Sequence, residues 1–322
     1  EFEANGSSLL MKHRDHYSHS VYVFILGLAI YETNSIYREE YKKFYKNEIG
    51  SEDDRAMAHH FMKYWGLSAL FHDIGYPMEL PYEQMISYFE IGGCKRDELP
   101  FLAYNRLEKY TEISPELQRK IAIAYGKADA VFFNTNELFG YDIESKLGKT
   151  YFLKPESVKD ILKDKPEHPE CFNNFMDHAY FSATILFRRL YDELKCPITK
   201  SDIDAMTAII LHNSLYKFKI AFYKNNELNK PLEMNLHPLA YMLMLCDELQ
   251  CWDRTPYGRQ SRGEVHPMNC DFTFGENSIN ACFVYDNTDE KIIDFEKKIK
   301  EGINPGKMKA YSEMISNDGN VC

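Results

Sequence analysis

Leu67 to Pro77 reads Leu-Ser-Ala-Leu-Phe-His-Asp-Ile-Gly-Tyr-Pro, and the fold turns on how this stretch is understood. A mostly apolar approach leads into His72-Asp73, and Gly75 and Pro77 follow at once. Neighbours on a regular helix point about 100° apart, so an adjacent His and Asp can serve one purpose only where the helix ends. Glycine and proline are the residues that end it. The stretch therefore predicts a helix closing on an imidazole and a carboxylate that are at least half buried.

Outward from this point, apolar residues recur at intervals of three and four while strand-like alternation is rare, which predicts a mainly α fold. Helices are expected around 17–33, 52–72, 115–126, 178–194, 201–213 and 236–252, each bounded by polar, Gly or Pro residues. The segment 77–170 mixes Pro81, Pro100, Gly92-Gly93 and Gly140 with short amphipathic pieces, and reads as a helical insertion or cap within a domain spanning 9–260. Residues 1–8 read as a cloning remnant or flexible boundary. The extension 261–322 holds two alternating stretches around Gly275-Glu-Asn277, the pattern of a small C-terminal β-hairpin, and then an amphipathic helix over 290–301.

Composition narrows the function classes. The chain has 322 residues, 44% of them hydrophobic, enough for a sizeable core. Its 38 Lys and Arg against 49 Asp and Glu give a net charge of −11 with no long basic block, which argues against a coat for long nucleic acid or a binder of anionic membranes. The apolar run Val21 to Tyr31 is shorter than the roughly 20 residues a spanning helix needs. The eight cysteines are scattered with no C-x-x-C pair, so reduced thiols and a cytoplasmic setting are expected.

Besides His72-Asp73, chemistry-bearing residues stand in His16-Tyr-Ser-His19-Ser-Val-Tyr-Val, in Met176-Asp-His178-Ala-Tyr-Phe-Ser-Ala, in Ile209-Ile-Leu-His212-Asn-Ser and in Leu243-Met-Leu-Cys-Asp247-Glu-Leu-Gln. A lone histidine on an apolar helix is more often a hydrogen-bonded core residue than a ligand. Asp247 shifts that balance, because an unpaired carboxylate in so apolar a helix would cost several kcal/mol or lose its charge, and a cation compensates it most simply. Imidazole nitrogen and carboxylate oxygen suit Zn, Fe or Mn, and ligands on separate helices can converge inside a bundle.

The order H…HD…H…H…D, with the strings HSVYV, HDIG, DHAYFSA, LHN and LCDE, resembles the HD-domain metal-dependent phosphohydrolase superfamily in its two-metal branch, over roughly Arg14 to Arg254. The resemblance implies an HD-domain helical bundle and two divalent transition ions. It implies that His19, His72, Asp73 and Asp247 hold one ion, and that Asp73 bridges to a second held by His178 and His212. It also implies a metal-bridging hydroxide as nucleophile, with Asp73 as a catalytic residue. His16 is the alternative first ligand or a substrate contact. Many relatives carry a lysine after HDIG, where this chain has Tyr76 and then Pro77; a phenol donates a hydrogen bond but brings no positive charge. The Gly-Tyr-Pro that follows HD here is not the separate motif that marks cyclic di-GMP hydrolases.

Positive charge for a phosphate must come from elsewhere. Arg254, seven residues after Asp247, is the expected clamp and catalytic partner, and Lys217 and Tyr76 are further substrate contacts. Trp252 and Tyr257 could stack a base. The expected function is hydrolysis of a phosphodiester or phosphomonoester of a small anionic substrate, a nucleotide in the first instance. A di-iron oxygenase resembling myo-inositol oxygenase is the alternative enzyme class, and a non-catalytic nucleotide sensor the third. Pairing through the hairpin edge would give a homodimer.

Overall fold

Asn34 splits the N-terminal helical region in two. Helix α1 (His16–Thr33) ends one residue before it, and α2 (Ser35–Ile49) starts one residue after, with the Asn34 side chain accepting the Tyr37 N–H at 2.8 Å. At the far end of α2, Gly50 takes the left-handed conformation at φ 67° and donates its N–H to the Lys46 carbonyl, the usual glycine stop. The computed structural model describes residues 13–14, 16–77, 111–127, 131–147, 178–212, 232–250, 256–257, 269–275 and 279–284. These are mainly helical.

The remaining helices are α3 (Asp54–Phe71), α4 (Pro115–Ala124), α5 (Thr135–Leu147), α6 (His178–Phe187), α7 (Lys200–Leu211) and α8 (Pro238–Leu249), and α6 runs on into a π turn over Arg188–Glu193. Their starts follow local chemistry. Ser114 caps α4 ahead of Pro115, Thr199 and Asp202 form a reciprocal capping box on α7, and His237 caps α8 ahead of Pro238. Two short strand pairs complete the described residues. Strand β1 (His13–Arg14) pairs with β2 (Pro256–Tyr257), and β3 (Asn269–Phe274) runs antiparallel to β4 (Ile279–Val284) with Phe274 opposite Ile279. Among the described residues, no helix is long and apolar enough to cross a membrane.

The chain divides into two compact units, one of Glu1–Leu70 with Ile220–Cys322 and the other of Phe71–Lys219. Of the expected 77–170 insertion, α4 and α5 are described and belong to the second unit. The helix expected over 290–301 lies outside the described residues.

In the first unit, α1 packs on α2 and α8. The sequence pattern did not predict α2, because its buried stripe is Tyr37, Tyr41 and Tyr45 at helical spacing among charged neighbours, with little aliphatic signal. The Tyr37 and Tyr41 rings meet Tyr31 and Phe61, Tyr45 packs on Tyr41, and Phe61 stacks parallel to Trp65 at 5.9 Å. Trp65 also donates its indole N–H to the Phe24 carbonyl at 2.9 Å, which binds α3 to α1. Contact there is so close that a Cβ on Gly27 would lie 2.1 Å from the indole ring. In the second unit, α7 packs between α5 and α6.

Two outcomes follow for the first unit. Gly27→Ala forces the indole out of its seat and should destabilise the fold by about 3 kcal/mol, read as a fall in unfolding temperature. His60, with Tyr41 Oη 2.7 Å from its Nδ1, is held from its ordinary 6.5 down to about 4 by burial and, secondarily, by the Lys63 charge. The unfolded chain takes up a proton that the folded chain refuses, so this contribution is complete above about pH 6.5 and lost as pH falls towards 4. His60→Gln should flatten the pH dependence of urea unfolding in that window.

Candidate metal centre

Helix α3 ends at Phe71, and the next residues turn back on themselves, Ile74 N–H donating to the Phe71 carbonyl and Tyr76 N–H to the Asp73 carbonyl at 3.1 Å. The turn is seated on the first residues of α6. Gly75 donates its N–H to Ser182 Oγ at 2.8 Å, and a Cβ on Gly75 would lie 2.1 Å from the His178 carbonyl oxygen. Only glycine permits this approach, which is the physical reason for the residue after His-Asp-Ile.

With the turn so placed, the Asp73 carboxylate faces imidazoles from both oxygens. Oδ2 lies 3.4 Å from His72 Nε2; Oδ1 lies 3.5 Å from His178 Nε2 and 3.8 Å from His212 Nε2. All four residues are buried, His72 completely. The separations exceed those of a good hydrogen bond. They match what a shared ion imposes, since donors about 2.1 Å from a tetrahedral cation stand about 3.4 Å from one another. One donor atom each from Asp73, His178 and His212 lies within 4.8 Å of the others. The donor set is the one that suits divalent transition ions, so these residues fit a metal.

The surroundings orient the rings. His212, the C-cap of α7, donates its Nδ1–H to the Ile209 carbonyl, which leaves the Nε2 lone pair for the Asp73 side. Tyr76 lies face to face on the His178 ring, centroids 3.9 Å apart and planes 16° off parallel. His72 and His178 each meet the His212 ring edge-on. The Tyr76 ring, expected as a substrate contact, thus packs on an imidazole.

The first unit holds a further contact between an imidazole and a carboxylate. His19 on α1 bonds Gln250 Oε1 through Nδ1, and its Nε2 lies 2.8 Å from Asp247 Oδ1. With its Nδ1–H donated to Gln250, His19 presents Nε2 to the Asp247 carboxylate. His19 is buried, whereas the Asp247 side chain keeps about a fifth of its surface open.

Of the expected site residues, His72, Asp73, His178, His212 and Tyr76 are brought together in the second unit, and His19 and Asp247 in the first. His16 stands half-buried at the start of α1, its carbonyl accepting from Ser20 Oγ at 2.9 Å. Arg254, Lys217 and Trp252 lie outside the described residues. Sequence reasoning missed Gln250 and Ser182. Gln250 stands three residues after Asp247 at the polar end of an apolar helix, and Ser182 four after His178, so each shares a helical face with a candidate site residue.

No family model, curated protein or solved structure matches the chain.

Gly75→Ala should displace the turn from α6 and carry Asp73 away from His178. The expected result is destabilisation by about 1–3 kcal/mol in thermal unfolding, together with at least a tenfold loss of Zn²⁺ affinity by calorimetric titration.

Proposed function

We propose that this chain is a metal-dependent phosphohydrolase that cleaves a phosphodiester or phosphomonoester of a small anionic substrate, with a nucleotide as the favoured class. The observation that carries the reading is the split of the Asp73 carboxylate, one oxygen towards His72 and the other towards His178 and His212. A bridging carboxylate between two cation positions has this disposition, and the order H…HD…H…H…D points the same way. The full ligand set that the resemblance implies also includes His19 and Asp247.

Bound there, two divalent ions would clamp phosphate oxygens, stabilise the charge that develops on them and furnish a nucleophilic water at neutral pH. The protein's own groups do the rest. Asp73 supplies the shared negative charge, and the Ile209 carbonyl and Gln250 fix which imidazole nitrogen of His212 and His19 is left to act as donor. Tyr76 covers one face of His178 and keeps bulk water off it. Arg254 and Lys217 are proposed as the cationic contacts to phosphate. Two divalent ions would outweigh the Asp73 carboxylate and make the site attractive to an anion within a chain of net charge −11. The reading further includes a cytoplasmic, non-membrane protein that acts on small molecules and not on long nucleic acid, with homodimer formation through the C-terminal strands.

Elemental analysis of the purified chain should find close to two transition ions, Fe, Mn or Zn, per molecule. Asp73→Ala should release both and abolish hydrolysis of an aryl phosphodiester. A panel of cyclic dinucleotides, cyclic mononucleotides, nucleoside triphosphates and guanosine tetraphosphate then identifies the substrate. Preparations that neither contain nor bind these ions would refute the reading, whereas aerobic turnover of inositol without phosphate release would move it to the oxygenase class.

A further inference from the structure

The second unit contains a buried ionic cluster apart from the histidines. Lys146, in the last turn of α5, bonds the carboxylates of Asp142 on its own helix and of Asp204 on α7. Its side chain is 5% exposed and those of both aspartates are wholly buried. Asp142 also accepts from Thr207 Oγ1 on α7 at 2.8 Å and from the Tyr125 hydroxyl at the end of α4 at 2.8 Å. Burial alone would lower the Lys146 pKa, but the Asp142 and Asp204 charges, with their hydrogen bonds, outweigh it and raise the value. The ammonium therefore stays charged inside the protein.

We infer that this cluster sets the rotation and height of α7 and thereby the placing of His212, which makes Lys146 a positioning residue for the cation site; the inference rests on the metal reading above. Apolar residues of similar volume would hold α5 and α7 together as well as a buried ion cluster does, and often better. Charge-assisted bonds add direction, because they fail when the partners slide. The two ties on α7 fall at Asp204 and Thr207, three residues apart, so they fix the helix about its axis as well as along it.

His212 caps the same helix, eight residues beyond Asp204 and about 80° round from it. Rotating α7 by about 10° would move a group about 5 Å from its axis by about 1 Å. That displacement exceeds the roughly 0.5 Å within which a functional constellation must be held. The α5–α7 face thus holds the helix, and the adjoining face presents the imidazole to Asp73.

The test uses the full chain, titrated with Co²⁺ and followed by the visible absorption of the bound ion, with thermal unfolding recorded in its absence. A triple variant, Lys146→Met with Asp142→Asn and Asp204→Asn, removes every charge of the cluster at nearly constant volume. It should still unfold in one cooperative transition, at a somewhat lower temperature, yet bind Co²⁺ about 10–100-fold more weakly, with an altered band shape. If the triple variant does not fold, Thr207→Val decides the matter: it breaks one tie, leaves the charges in place and should weaken Co²⁺ binding about threefold or more. Unchanged affinity and spectrum in a folded variant of either kind overturns the inference. A wild-type chain that binds no Co²⁺ overturns the metal reading and this inference with it, and is distinguished by failing before any substitution is made.

Discussion

The backbone of Gly75 lies against the first turn of α6 at a distance that excludes any side chain, and the placing of Asp73 among the histidines of the second unit depends on that contact. It brings the end of one helix and the start of another close enough for a carboxylate to stand between imidazoles from both. Ser182 fixes the approach with one hydrogen bond, and the parallel packing of Tyr76 on His178 fixes its angle. The short side chain of Asp73 reaches its neighbours only because the main chain has already covered the distance.

Much of this arrangement was legible in the sequence. His72-Asp73 before a glycine marked a helix end with two polar groups, and the apolar approach marked their burial; both features appear in the structure. Helices α1, α3, α4, α6, α7 and α8 lie where the sequence pattern predicts helices. Helix α2 was not legible by that means, since tyrosines at positions 37, 41 and 45 carry its buried face and read as mixed polar sequence. The π turn was not legible either, because a single residue more per turn leaves no mark in a pattern counted by threes and fours.

The polar residues that support the site divide in the same way. Histidines beside apolar runs announce themselves, because each is costly to bury without a partner. Lys146, Asp142 and Asp204 do not, since charges on an amphipathic helix ordinarily face solvent, and only the three-dimensional packing of α5 on α7 shows them enclosed. Gln250 is concealed for a related reason. A neutral amide at a helix end is usually a surface residue, and its bond to His19 spans 231 positions of sequence.

The π turn that continues α6 has a consequence for how the chain can vary. Between Arg188 and Glu193 the helix holds an extra residue, with the Leu194 N–H reaching back to the Arg189 carbonyl. An inserted residue in a continuous α-helix would swing everything beyond it by about 100°. Housed in a wide turn that follows the helix bearing His178, such an insertion leaves the preceding ten residues in their original frame. The wide turn thus shifts the frame of the residues beyond it while the helix bearing His178 keeps its own regular geometry.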